Sequence, residues 1–292
     1  MIANGHIPPR VRSGDIAPRV RSGDIAPRVR NGHIAPRVRN AAFGDAPGEW
    51  PLPAARTAEE LWLRAVAAGG QGRYANANAD LASVRRAHRV GRLASLAHST
   101  HASFLRQLGW HEEARGWDGR ALAFAAGDPE AVGDALIGLA ADALGVGRFA
   151  LSTAALRRAE DLLDDRLPRL GVRLAWVSAE LAMATGDGAA AVDHAERACA
   201  LAAAFGSARH RVKSDVVLAA ALCCDGRTDR SRDVADAALA ITSECGLVPL
   251  SWALSCLLGD IGSGNHSAAQ VVGIRDQSAD TVRRRGGVLF DR

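Results

Sequence analysis

The stretch AEELWLRAVAAGGQGRYANANADLASV, residues 58–84, contains two runs of good helix-forming residues separated by a glycine-rich turn. Thr57 precedes the stretch and Glu60 lies three residues further on, which is the capping-box pattern that starts a helix. The glycines predict that this first helix ends at Ala68 and that a second, Ala-rich helix begins near Tyr74. The stretch therefore predicts a helix–turn–helix unit.

The same turn recurs along the chain, and its five glycines are spaced 37, 38, 39 and 40 residues apart. A sixth, weaker turn is predicted near 262–265. Regular self-similarity at such a period indicates a repeat protein built from stacked units. The five turns are Gly72-Arg73-Tyr74, Gly109-Trp110-His111, Gly147-Arg148-Phe149, Gly186-Asp187-Gly188 and Gly226-Arg227-Thr228.

These units resemble the tetratricopeptide repeat, in a variant longer than the family's 34 residues. The family has a small residue seven positions before the turn glycine and another five positions after it, where the two helices cross. All ten of these positions hold Ala or Ser, in the pairs Ala65/Ala77, Ala102/Ala114, Ala140/Ser152, Ala179/Ala191 and Ala219/Ser231. The resemblance implies an all-α fold, a right-handed superhelical solenoid of five to six helix–turn–helix (TPR-like) repeats.

Two departures from the family pattern are visible. The aromatic residue that follows the first turn is replaced by Gly188 and Thr228 in the fourth and fifth turns, and the proline between units is mostly missing. Asp128-Pro129 instead predicts the start of the third unit, with Asp as the N-cap and Pro in the first helical turn. The fourth unit is predicted to begin near Pro168.

In the family, the first helix of each pair lines the inner wall of the solenoid, and the resemblance implies which residues would face a partner there. Trp and Arg are typical anchors in such an interface. An alternative for the two tryptophans is that they fill the space between adjacent units. The predicted partner-binding groove contains Trp62, Arg106, Gln107, Asp134, Arg173, Trp176, Glu180 and Lys213.

The N-terminal part of the chain consists of four near-identical nonapeptides, from GHIPPRVRS at 5–13 to GHIAPRVRN at 32–40. Frequent Pro and Gly and few apolar residues predict a disordered tail and linker over 1–48, followed by the repeat domain over 49–292. Residues 1–40 carry eight Arg and two Asp, a net charge of +6, so the rest of the chain carries −2 of the net +4. The tail is either an Arg-rich arm that contacts nucleic acid, an acidic partner or anionic lipid, or the product of a recent tandem duplication of coding DNA or of a wrongly assigned start codon.

No sequence motif predicts catalysis. His98, His101 and His111 are a conceivable zinc set, but the first two fall on predicted packing positions with no nearby Cys or carboxylate, so we expect no metal and no cofactor. The five cysteines form no CxxC pair, which indicates reduced thiols and a cytoplasmic protein. No apolar run reaches the length of a membrane span.

The leading hypothesis is therefore a non-enzymatic scaffold that binds a protein or peptide partner in its groove, a role that would suit a regulatory system. The alternative is a nucleic-acid-associated transcriptional regulator that uses the Arg-rich tail, although the nearly neutral body gives no signal for nucleic acid. The sequence leaves the partner and the oligomeric state open.

Overall fold

A computed structural model describes residues 36–290, which belong to one compact unit. Within these residues all regular secondary structure is α-helical. The thirteen helices are α1 Pro36–Phe43, α2 Ala58–Gly70, α3 Tyr74–Ala87, α4 Arg92–Gln107, α5 His111–Phe124, α6 Pro129–Gly145, α7 Phe149–Glu160, α8 Pro168–Ala184, α9 Gly188–Phe205, α10 Ala208–Cys224, α11 Thr228–Glu244, α12 Val248–Ile261 and α13 Ala268–Arg284.

Helices α2 to α13 form six antiparallel pairs that stack in chain order. Within a pair the two helices pack along their length, and the first helix of each pair also contacts the first helix of the next. The predicted capping box at Thr57 and Glu60 is present, and Asp128 caps α6 as predicted. The predicted helical-repeat solenoid is therefore the observed fold, with the weak sixth unit formed by α12 and α13.

Each of the five predicted turns uses its glycine in the left-handed region of backbone space, with φ between 73° and 94°. The residue after the glycine donates its N–H to a carbonyl five residues earlier, as in Arg148 to Ala143 (2.7 Å) and Asp187 to Ala182 (2.9 Å). This is the Schellman arrangement, which satisfies free carbonyls at a helix end and needs a positive φ. Glycine therefore recurs at these turns because the backbone there needs a positive φ.

The ten small residues at the predicted crossing points are all fully buried, with 0% of their surface exposed. A larger side chain at these points would hold the two helices apart, because a packed interior has no spare volume. Burial at all ten positions confirms the register assigned from the turn glycines.

Helix α2 continues two residues beyond its predicted end at Ala68. A Cβ atom on Gly69 would lie 2.1 Å from the Phe104 ring, and one on Gly70 would lie 2.8 Å from Cδ of Arg209. Gly69 and Gly70 therefore lie within the helix and allow close packing against it. The sequence pattern predicted instead that these glycines end the helix.

Residues 36–48 belong to the folded unit and include helix α1, whereas the sequence pattern predicts tail and linker for this segment. Pro36 starts α1 at a position where proline suits a helix, and Val38, Ala41 and Ala42 are at most 1% exposed in the core beside α2. Only the fourth nonapeptide is followed by an apolar Ala-Ala-Phe sequence, which gives α1 a face to bury. The predicted tail over 1–35 lies outside the described residues.

The last helix pair, α12 and α13, lies against the first two helix pairs. The end of the stack of helices is therefore in contact with its beginning. Ala75 donates its N–H to the carbonyl of Arg285 (3.0 Å), and Phe290 donates its N–H to the carbonyl of Leu108 (2.8 Å). The indole N–H of Trp110 donates to the carbonyl of Val288 (2.7 Å). Residues 285–290 are hereafter called the C-terminal clasp.

Among the helices of residues 36–290, none is both long and apolar enough to cross a bilayer.

Candidate functional site

The first helices of all six pairs surround one cavity of about 450 Å³. Helix α1 also contributes, through Phe43, and His111 at the start of α5 completes the wall. The predicted groove along the first helices thus corresponds to one cavity in the structure. Its volume is in the range of pockets that hold small ligands.

All eight residues predicted from the repeat register line this single cavity: Trp62, Arg106, Gln107, Asp134, Arg173, Trp176, Glu180 and Lys213. The structure therefore brings together residues that are up to 151 positions apart between Trp62 and Lys213 in the chain. Their contact with a partner remains a prediction.

The two predicted tryptophans combine packing with exposure to the cavity. The indole N–H of Trp62 donates to Oγ1 of Thr100 (2.9 Å), and that of Trp176 donates to Oγ of Ser214 (2.8 Å), each on the next first helix. Trp176 also stacks on the His210 ring, with the ring centroids 5.3 Å apart and the planes 21° apart. Both indoles join adjacent units, and both line the cavity.

Several charges in the wall neutralise each other. Asp134 accepts hydrogen bonds from Oγ of Ser99 (3.0 Å) and from Arg169 (2.8 Å), and it also pairs with Arg173. Lys213 pairs with Glu180 at 3.2 Å. Such pairs hold the long side chains in fixed positions, so the polar part of the wall is ordered.

Arg106 lies deeper, in a buried network with two aspartates. It pairs with Asp118 on α5 and with Asp142 on α6, the latter at 2.9 Å, and neither carboxylate is exposed. A Cβ on Gly138 would lie 2.2 Å from Oδ2 of Asp118, so the glycine makes room for this carboxylate under α6. Arg106 thus serves mainly to join α4, α5 and α6.

Arg209 is a candidate site residue that sequence reasoning missed. It lies in the cavity wall, and its Nε is buried without a hydrogen-bond acceptor. Burial, and to a lesser extent the charge of Arg169, lowers the pKa of Arg209 to about 10. Burial, followed by the charges of Arg209, Arg169 and Arg173, lowers the pKa of the neighbouring His210 well below its ordinary value. The imidazole of His210 is therefore neutral at pH 7.

The repeat register contains a signal that would have identified Arg209. In the second to fifth units, the position 17 residues before the turn glycine holds Arg92, Glu130, Arg169 and Arg209 in turn. Arg92 and Arg169 both bond to Glu130, at 2.7 Å and 3.2 Å, so charges alternate along the stack. The last two residues of this series, Arg169 and Arg209, are both arginines. Arg209 therefore has no carboxylate next to it in the series.

The histidines considered for zinc are used elsewhere. Nδ1 of His98 lies 2.7 Å from the carbonyl of Ala94, and Nδ1 of His101 lies 2.8 Å from Oδ1 of Asn78. Both rings pack on Trp117, whereas His111 borders the cavity. Burial, followed by the charge of Arg85, lowers the pKa of His101 to about 4. Within 36–290 no three metal-ligating side chains come together.

The five cysteines are all free thiols. Sγ of Cys199 lies 3.8 Å from Oδ1 of Asp215, and burial together with that carboxylate raises the pKa of this thiol to about 12. A thiol with a raised pKa is a poor nucleophile, because the thiolate is the reactive form.

No protein-family profile and no curated protein sequence matches the chain. A solved structure with a similar fold is described as the Rap conjugation gene regulator of the plasmid pLS20 in complex with the Phr* peptide. The two chains superpose with a TM-score of 0.60 and 14% sequence identity, over 82% of this chain and 68% of the other. This similarity supports a helical-repeat fold for the chain.

Proposed function

We propose that the protein is a non-enzymatic regulatory scaffold that binds a short peptide in its central cavity. The observation that carries the proposal is that the first helices of all six pairs line the same cavity. A ligand held there would contact every repeat, and its binding energy would favour one arrangement of the stack over others. In a scaffold of this kind, ligand binding would act on a regulated partner by changing the arrangement of the stacked helices.

The chemistry of the wall suits a peptide. Aromatic and aliphatic side chains such as Trp62, Trp176 and Val216 offer apolar contacts, and Ser103 and Gln107 offer hydrogen-bonding groups to a peptide backbone. The plasmid regulator described above, which has a similar fold, was solved with a peptide, and this supports the same class of ligand here.

A selection experiment with a cavity-filling variant tests this function. The probe is a random pentapeptide library, from which the purified full chain selects ligands that are identified by mass spectrometry. Ala141→Trp places an indole inside the cavity from a lining position, and Ala154→Phe adds an aromatic group on an exposed surface of α7 as the control. Circular dichroism checks that both variants keep their helicity.

We expect the natural chain and the Ala154→Phe chain to enrich the same peptides, and the Ala141→Trp chain to lose them by at least about ten-fold, because the indole occupies the space the ligand needs. The proposal fails if the natural chain enriches no peptide, or if the Ala141→Trp chain enriches the same peptides equally well.

A further inference from the structure

The cationic side chains of the cavity wall differ in how they are neutralised. Four of the five have a carboxylate partner within the described residues: Arg106 with Asp118 and Asp142, Arg169 with Glu130 and Asp134, Arg173 with Asp134, and Lys213 with Glu180. For Arg209, residues 36–290 provide neither a carboxylate within 4.0 Å nor a hydrogen-bond acceptor. The wall therefore contains one uncompensated guanidinium.

The surroundings of Arg209 are cationic or neutral. The charge of Arg169 acts on Arg209, and the charge of Arg209 in turn helps to lower the pKa of Arg173 to about 10, after burial and Arg106. The two other arginines of this cluster share Asp134. A buried charge without a counterion is costly, so a folded protein keeps one mainly where an ion or ligand completes it.

Close packing holds Arg209 in place. The side chain crosses Gly70 of α2, where a Cβ would lie 2.8 Å from Cδ of Arg209 and 3.5 Å from its Nε. His210, the next residue, is fixed between Trp176, Phe205 and Phe43. These contacts confine the guanidinium to the cavity side of α10 before any ligand binds.

We propose that Arg209, assisted by Arg169 and Arg173, is a subsite that binds a carboxylate of the ligand; the identity of that ligand as a peptide rests on the proposed function. A guanidinium presents two parallel N–H donors that match the two oxygens of a carboxylate. One uncompensated positive charge corresponds to one carboxylate, whereas a phosphate group carries close to two negative charges. The source of the carboxylate is either the C-terminus of a peptide or an Asp or Glu side chain.

The direct test uses the carboxylate alone. Propionate is titrated into the isotope-labelled full chain at constant ionic strength, and the side-chain Nε–H signals of arginine are followed by NMR. Arg209→Met, which keeps an unbranched side chain of similar length, assigns the Arg209 signal by its loss. Propionamide, which has the same shape without the charge, is the ligand control.

We expect the Arg209 signal to shift with propionate and to stay in place with propionamide. In Arg209→Met the other arginine signals should lose their response to propionate, whereas Arg158→Met, at an exposed position of α7, should keep it. An Arg209 signal that ignores propionate, or a response that survives Arg209→Met, would overturn the proposal whether or not peptides bind.

Two peptide arms identify the source of the carboxylate. The random pentapeptide library is offered once with a free C-terminus and once as C-terminal amides, with the content of Asp and Glu read from the enriched sequences. Preference for the free acid assigns the subsite to the C-terminus, and enrichment of Asp or Glu in both libraries assigns it to a side chain.

Arg209→Met should abolish either preference, with an expected loss of about 10- to 100-fold for a charge-assisted hydrogen-bonded pair. Equal binding of neutral amides and acids would reject the subsite and leave the peptide function intact. A propionate response without any peptide enrichment would reject the peptide function and leave the subsite intact.

Discussion

At the scale of single residues, glycine has two different roles in this chain. The turn glycines such as Gly147 adopt a positive φ that other residues rarely accept. Gly69, in contrast, is helical, and its missing Cβ makes room for the Phe104 ring. Gly119 is also helical, but a Cβ there would meet nothing within 4 Å.

Replacing Gly69 and Gly119 by Ala should therefore change stability in opposite directions. Gly119→Ala should raise the free energy of unfolding by up to about 1 kcal/mol, because Ala loses less backbone entropy in a helix. Gly69→Ala should lower it by about 1–3 kcal/mol, because the new methyl group overlaps the Phe104 ring. Urea denaturation measures both, and an equal gain in the two variants would contradict the packing role of Gly69.

The buried network around Arg106 should make stability depend on pH. Burial raises the pKa of Asp118 above its ordinary value, against the opposing effect of Arg106, and the nearby Asp142 carboxylate adds to the rise. The folded state then binds a proton more tightly than the unfolded chain. This contribution is fully present below the unfolded pKa, near 4, and is lost as the pH rises through the raised folded value.

Asp118→Asn should remove this contribution, so the free energy of unfolding should fall less steeply between pH 4 and neutral pH than in the natural chain. Denaturation curves at several pH values measure the slope. Asp165→Asn, at an exposed loop position, is the control and should leave the slope unchanged. Identical slopes in the natural chain and the Asp118→Asn chain would show that Asp118 is not the group responsible.

At the scale of helices, the crossing point of each pair is the most constrained feature. Ala179 is fully buried where α8 and α9 cross, whereas Ala200 is exposed on α9. Ala179→Leu should lower the free energy of unfolding by about 1–3 kcal/mol, because the pair cannot separate without losing contacts along its length. Ala200→Leu should change it by less than about 0.5 kcal/mol. Comparable effects of the two substitutions would refute the assigned register.

The helix pairs were predictable from the sequence because local chemistry determines them. Turn glycines, the caps at Thr57 and Asp128 and the small crossing residues all act within one unit, and the structure places each as expected. The eight predicted groove residues were found by the same register and line one cavity. Features that depend only on contacts within one repeat unit could thus be derived from the sequence of that unit.

The features that were missed depend on distant parts of the chain. The folding of α1 depends on burial against α2 and α10, which no pattern in its eight residues specifies. The clasp brings Phe290 to Leu108, far apart in the sequence, so the contact between the two ends of the stack could not be anticipated from the repeats. Arg209 stands out only once the carboxylates near its neighbours are known.

At the scale of the whole molecule, the clasp joins the end of the stack to its beginning. The rings of Trp110 and Phe290 meet edge to face with centroids 4.8 Å apart, and a Cβ on Gly109 would lie 2.8 Å from Cβ of Phe290. Two hydrogen bonds accompany this contact. The clasp therefore holds the first two repeats against the last one.

Removing residues 288–292 should loosen this closure without unfolding the repeats. The free energy of unfolding should fall by about 1–3 kcal/mol, for one aromatic pair and two hydrogen bonds. Amide hydrogen exchange near Leu108 should become faster, whereas exchange in α8 and α9 should not change. Removal of 291–292 alone is the matched control. Unchanged exchange near Leu108 after the longer truncation would contradict a closing role for the clasp.

The most direct measurement of the central claim follows the six tryptophans. Trp62, Trp176 and Trp252 line the cavity, whereas Trp50 and Trp117 lie elsewhere and Trp110 holds the clasp. Their indole N–H signals, assigned by single Trp→Phe substitutions, are recorded by NMR while an enriched pentapeptide is added. A ligand in the cavity shifts the signals of Trp62, Trp176 and Trp252 and leaves those of Trp50 and Trp117 in place. Shifts confined to Trp50 or Trp117 would place the ligand outside the cavity and contradict the account.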